Sequence, residues 1–238
     1  MCVVESLWIL RNFFKLDINS SFLIYKEYYD TARGKFLIHK DLQSAITVSP
    51  TYELDDILAL LQLIQPYVHS HKKILFIDVG AHIGKYTVSV GTFFRNYNNI
   101  DFVAFEPDAN NFSKNNSSVF RKNISLNHIQ NSKLYTVGLG NKNSRKVNEF
   151  GFQTRKLDDI LSYTVARKYD AVFMKIDIEG YEEYALRGSE KFIKNSKIFY
   201  CLTEDCVNTH IFTYMKKHFT FIKKITPYNS FWKHEQYR

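Results

Sequence analysis

Cysteine, proline and glycine are scarce: the 238-residue chain has three, four and nine of them. So few glycines and prolines exclude a collagen-like or low-complexity polymer and leave little material for long flexible linkers. Cys2, Cys201 and Cys206 are odd in number and lack paired metal spacing, so neither a disulfide framework nor a zinc module is expected. A reducing, cytoplasmic setting is the simplest reading. No uncharged apolar run reaches the roughly 20 residues needed to span a bilayer, so no transmembrane segment is expected. The opening MCVVESLWILRNFF is broken by Glu5 and Arg11 and has neither a basic start nor a small-residue cleavage site. It reads as a packing helix rather than a leader.

Apolar residues make up 45% of the chain, enough to bury the core of one large α/β domain. Thirty-two Lys and Arg against 24 Asp and Glu leave a net charge of +8, which favours anionic partners without specifying a chemistry.

Residues 1–50 read as an aromatic extension and residues 51–238 as the main domain. In the extension, SFLIYKEYY and KFLIHK flank a turn at Ala32–Lys35 and suggest a small hairpin. Ser49 as N-cap, Pro50 at the first helical position and Leu54, Ile57, Leu58, Leu61 and Ile64 at helical spacing predict an amphipathic helix. From Lys72 onward strands alternate with helices: KILFIDV, DFVAFE, KLYTVGL, AVFMKID and KIFYCLT are apolar runs suited to a parallel sheet covered on both faces. FTFIKKIT and SFWKHE, separated by Pro227–Ser230, predict a closing antiparallel hairpin.

Three motifs carry chemistry. In FIDVGAHIGKYT, Gly80 and Gly84 allow a tight turn and close backbone approach, and Asp78 offers an acceptor at the strand end. His82 occupies the second position of a G-x-G-x-x-G fingerprint, which disfavours a dehydrogenase, and the carboxylate suits an ammonium better than a phosphate. The plain alternative is a structural strand-to-helix turn. In VAFEPD, Glu106 before Pro107 either accepts from the two hydroxyls of a ribose or caps a helix. In MKIDIEGYE, period-2 geometry puts Lys175, Asp177 and Glu179 on one side of a strand exit, either as a reactive group or as a solvated turn with an ion pair.

Taken in order, FIDVGAHIG, VAFEPD, VGLGNK, KLDDIL, MKIDIEGYE and IKKITPYNSFW resemble the FkbM family of S-adenosylmethionine-dependent methyltransferases over about residues 52–234. The resemblance implies an α/β fold: a Rossmann-like, doubly wound sheet of the class I methyltransferase type with a closing antiparallel hairpin. It also implies methyl transfer to an oxygen, commonly a hydroxyl of a sugar or other small-molecule or glycan acceptor. Carried over by residue, Asp78, Gly80, Ala81, His82 and Gly84 would surround the methionine part of S-adenosyl-L-methionine. Glu106 with Pro107 would meet the ribose, Val137 and Gly138 the adenine, and Asp177 the methionine end. His82 stands where the family usually has Asn, and Asp205 follows Glu204 where a shorter strand end is usual.

Transfer from a sulfonium is an in-line displacement, so alignment and a base for the acceptor proton are the expected protein contributions. Asp177 or Glu179 is the expected base, with Lys175 orienting it; His82 is a second candidate. A Mg²⁺ site on Asp177, Glu179 and Glu204 is conceivable but not demanded, and no metal is assigned. His69 and His71 read as a solvated helix end. KKHFTFIKK fits an edge hairpin better than a nucleic-acid surface, which leaves an RNA methyltransferase as the alternative enzyme. A catalytically silent S-adenosylmethionine-binding scaffold is the alternative outside catalysis. The extension reads as a lid or a homodimer surface.

Overall fold

The computed structural model describes residues 28–31, 33–39, 46–49, 51–108, 115–144, 152–205 and 209–235. The expected opening helix, Ala32 of the first turn, Pro50, Cys2 and Cys206 lie outside them. Among the described residues no helix is long and apolar enough to cross a membrane.

The described residues open with an antiparallel hairpin, β1 (Tyr28–Thr31) and β2 (Gly34–Leu37), followed by α1 (Leu54–His69). Then come β3 (Ile74–Val79), α2 (Lys85–Phe93), β4 (Ile100–Phe105), α3 (Asn116–Leu126) and β5 (Ser132–Tyr135). A two-stranded parallel patch, β6 (Gly138–Leu139) with β7 (Thr154–Arg155), precedes the short helices α4 (Leu157–Ile160) and α5 (Tyr163–Ala166). The chain continues through β8 (Ala171–Ile176), α6 (Glu182–Arg187), α7 (Glu190–Asn195), β9 (Ile198–Glu204) and α8 (His210–His218), and the last described elements are β10 (Thr220–Lys224) and β11 (Asn229–Glu235).

The central sheet has seven strands in the order β10-β11-β9-β8-β3-β4-β5. Its pairs from β9 to β5 are parallel, and β11 runs antiparallel to both neighbours. This is a doubly wound sheet with a closing antiparallel hairpin, as the alternation and the final turn predict, and it is the arrangement that the resemblance implies. The continuous apolar strands follow from burial on two faces. Leu75, Ile77 and Val79 pack on one side with Leu186, Phe192 and Trp232, while Ile74 and Phe76 pack on the other with Ile57, Leu60, Ile64 and Val68 of α1.

The start of α1 differs from the sequence expectation. The helix begins at Leu54, after Glu53 in the left-handed region at φ 52°, rather than at Pro50 with Ser49 as cap. Arg33 accounts for the delay: its guanidinium donates to the backbone carbonyls of Ser49 and Tyr52, which the expected first turn would use, and to that of Val48 just before them.

Asp205 also finds a structural explanation. Fully buried, it accepts from Trp232 Nε1 at 3.0 Å and Lys224 Nζ at 3.4 Å, and its own N–H donates to Tyr228 O at 2.6 Å. The departure from the family pattern at this position therefore anchors the closing hairpin rather than shaping an acceptor pocket.

Candidate active site

The left-handed backbone that ends β3 brings the first motif onto its neighbours. Gly80 has φ 76°, and a Cβ there would lie 2.0 Å from the backbone oxygen of Asp177, so the exits of β3 and β8 meet only because this residue has no side chain. The N–H groups of Gly80 and Ala81 donate to Phe105 O at 3.0 and 3.1 Å, which ties the loop to the end of β4. His82, at φ 49°, donates its backbone N–H to Glu106 Oε2 at 2.9 Å, and Gly84 at φ 91° opens α2. Histidine and asparagine both tolerate the left-handed region, so the backbone accommodates the exchange at position 82.

Strand register does the rest. Asp78 of β3 pairs with Lys175 of β8, so the two share a face at the carboxyl edge of the sheet. Lys175 Nζ lies 3.3 Å from Asp177 Oδ2 and donates to Gly80 O at 3.3 Å. Although burial works against the ammonium, Asp177, Asp78 and Glu106 hold Lys175 above its ordinary value. The Lys175 charge in turn holds Asp177 below the usual carboxylate range, outweighing its desolvation.

The period-2 alternation stops with the strand at Ile176. Glu179 sits at φ 55° beside Gly180 at φ 97°, so its side chain does not continue the alternation of Lys175 and Asp177, and it stands exposed. Desolvation of its partly covered carboxyl, then the charges of Asp177 and Glu182, push Glu179 up. Desolvation, then Asp177 and Glu179, do the same to the exposed Glu204. Among the described residues no group of three or more His, Cys, Asp and Glu is arranged to hold a metal ion. Asp177, Glu179 and Glu204 thus do not form the Mg²⁺ site considered above.

The remaining expected residues lie on the other side of the glycine loop. Val137, Gly138 and Pro107 line a small cavity of about 30 Å³ with Gly80, Phe152 and Ile178. The Phe152 ring packs so closely on Gly138 that a Cβ there would be 2.5 Å from it. The residues expected to bind the cofactor or react therefore gather at one edge of the sheet, with Glu179 at its margin.

Sequence reasoning missed a second layer contributed by α1 and α2. Lys85, buried at the first position of α2, is ion-paired with Glu53 and lies 4.3 Å from the centroid of the Tyr52 ring and 5.0 Å from that of Tyr86. Lys175 lies 4.9 Å from the same Tyr86 centroid. Burial, then Lys175 and Arg33, drive Lys85 well below its ordinary value. A cation at a helix N-terminus opposes the helix dipole, and a lysine opening the otherwise uncharged KYTVSVGTF was the available signal. Asp56 completes this layer, accepting from Asn229 Nδ2 at 2.7 Å through Oδ2 while its buried Oδ1 has no partner.

Burial pushes Asp56 up to about 6 from 3.8, partly offset by the Asn229 bond. The folded state then holds this proton more tightly than the unfolded chain. The stability it contributes is complete below the unfolded value and is lost as pH rises through the folded one. Asp56→Asn, which keeps an acceptor for Asn229, is expected to raise unfolding free energy by about 1–3 kcal/mol at pH 8 and to change little at pH 3. Denaturant titrations at the two pH values check this.

A family model described as the methyltransferase FkbM domain matches residues 78–226, from the Asp78 carboxylate to the turn of the closing hairpin. The chain belongs to the FkbM methyltransferase family. This FkbM protein is accordingly an S-adenosylmethionine-dependent methyltransferase. No curated protein matches its sequence. Among solved structures it is similar to PH1948 of Pyrococcus horikoshii, provisionally assigned as an RNA methyltransferase, at 14% identity and a TM-score of 0.47, covering 84% of this chain and 93% of that one. It is also similar to yhhF of Escherichia coli, provisionally assigned as a methyltransferase, at 11% identity and a TM-score of 0.49, covering 88% and 99%. Cofactor-bound Rv0187 from MTB gives 11% and 0.47, covering 79% and 85%. These likenesses concern the fold and nothing finer.

The residues at the sheet edge fit the cofactor. Asp78 accepts from the N–H and hydroxyl of Thr87 through Oδ2, at 3.1 and 2.7 Å, while its buried Oδ1 has no hydrogen-bond partner, the chemistry that an ammonium donor would satisfy. Burial raises Asp78, and an incoming cation would favour its ionised form. Glu106 has one protein donor on each oxygen, His82 N and Asn116 Nδ2, both at 2.9 Å. Lone pairs remain for hydroxyl donors.

Proposed function

We propose that the FkbM enzyme methylates a hydroxyl oxygen of a small-molecule or glycan acceptor in the cytoplasm, with Asp78, Gly80, Ala81, His82, Gly84, Glu106, Pro107, Val137, Gly138 and Asp177 holding the cofactor. The observation that carries this reading is the arrangement at the exit of β8, where Lys175 Nζ, 3.3 Å from Asp177 Oδ2, holds that carboxylate down while the exposed Glu179 beyond it is raised. Carboxylates pushed apart in this way suit different duties.

When bound, S-adenosylmethionine supplies a methyl carbon already activated for displacement by its sulfonium. Asp78 takes the ammonium and Glu106 the ribose hydroxyls. Asp177, kept ionised by Lys175, provides a fixed negative charge beside the reacting centre, and Lys175 orients it. Glu179, raised and accessible, accepts the proton of the acceptor hydroxyl as that oxygen attacks. The adjacent rings of Tyr181 and Tyr184, 5.5 Å apart, offer apolar faces on which a sugar ring can stack, and Tyr184 is exposed.

Incubation with methyl-labelled S-adenosylmethionine and separate pools of sugars, glycosides and RNA tests the acceptor class. Label is expected on hydroxyl oxygens of the sugar or glycoside pool. Label found only on RNA would overturn the reading.

A further inference from the structure

The side of α3 that meets the amino-terminal hairpin carries Asn116 and Asn123, and Asn127 caps its carboxyl end, the three spaced seven and four residues apart. They meet alternate residues of β2 and of the segment that follows it, Lys35, Leu37 and His39. Asn127 Oδ1 accepts from Lys35 N at 2.8 Å and its Nδ2 donates to Lys35 O at 2.7 Å. Asn123 Oδ1 accepts from Leu37 N at 2.7 Å, and its Nδ2 donates to Leu37 O at 3.1 Å and to Ile83 O of the glycine loop at 2.8 Å. The side-chain amides thus imitate the edge of a β-strand and fix the register of the extension against the site.

The third rung differs. Asn116 Nδ2 donates to Glu106 Oε1 at 2.9 Å, so its Oδ1 faces outward as an acceptor, and His39 Nε2 lies 2.9 Å from that oxygen. With the amide orientation set by the carboxylate, His39 must be the donor. The extension therefore reaches Glu106 through two hydrogen bonds in series, and the packing of Phe36, Ile38 and Val48 with Ile83 and Val88 keeps it in place.

We propose that His39 is a positioning residue for cofactor binding, acting through Asn116 to aim Glu106 at the ribose hydroxyls, so that the amino-terminal extension is part of the cofactor site. This rests on the reading of Glu106 as the ribose acceptor. The relay brings Asn116 into line without touching the ligand, and an amide at position 39 can supply the same donor.

Calorimetric titration with S-adenosylhomocysteine, and with its analogue lacking both ribose hydroxyls, tests the proposal on the full chain. His39→Phe is expected to weaken S-adenosylhomocysteine binding by about five- to tenfold. His39→Gln should recover most of the loss, and the analogue should bind His39→Phe and the unmodified protein equally. Equal loss with both ligands, no recovery in His39→Gln, or no loss at all would overturn it. If the unmodified protein does not distinguish the two ligands, Glu106 does not read the ribose and the proposal falls with that assignment.

Discussion

Replacing Glu179 with Gln is expected to lower kcat by about 10²–10⁴-fold while leaving affinity for S-adenosylmethionine within about twofold, the range typical of losing a general base. The pH profile gives the sharper signature. Partial desolvation and the charges of Asp177 and Glu182 raise Glu179 above its ordinary 4.5. Because the ionised form is the active base, kcat falls as pH drops through that raised value. Asp177, depressed by Lys175, is ionised throughout this limb and does not shape it. Glu179→Gln should abolish the acidic limb along with the rate. A variant that keeps both normal turnover and the limb would exclude Glu179 as the base and return the role to Asp177.

Gly80→Ala is expected to abolish cofactor binding and to lower thermal stability severely. The added methyl would lie 2.0 Å from the Asp177 backbone oxygen, which is no flexible side-chain tip but the start of the reactive loop. Gly180→Ala is the control: its φ of 97° is equally left-handed, yet a Cβ there has nothing within 4 Å. It should cost only about 1–2 kcal/mol of conformational strain. Comparing unfolding and calorimetry for the two separates strain from collision. Equal behaviour would mean that the close approach of the β3 and β8 exits does not build the site.

Much of the fold was legible because its strands are buried on both faces and its punctuation is local. The apolar runs ending at Val79, Phe105 and Ile176 are the strands β3, β4 and β8, and the turn expected at Pro227–Ser230 closes the hairpin, with Asn229 and Ser230 already in β11. The start of α1 was not legible, since the carbonyls that delay it are taken by Arg33, a residue earlier by 15 to 19 positions. The same reason hid half of the site. Lys85 and Glu53 are separated by 32 residues, and His39 and Asn116 by 77, so no sequence window contains either pair. Glu179 shows the limit of extrapolated periodicity: the alternation that aligns Lys175 with Asp177 does not survive the left-handed turn after the strand.

Calorimetric titration of the purified protein with S-adenosylmethionine and S-adenosylhomocysteine, beside NADH and repeated with Glu106→Ala, tests most directly whether the carboxyl edge of β3, β4 and β8 is the cofactor site. Both sulfur ligands should bind the unmodified protein, NADH should not, and Glu106→Ala should lose about tenfold or more in affinity, as expected for a hydrogen-bonded charged acceptor. Undiminished binding in Glu106→Ala, or a preference for NADH, would contradict the assignment.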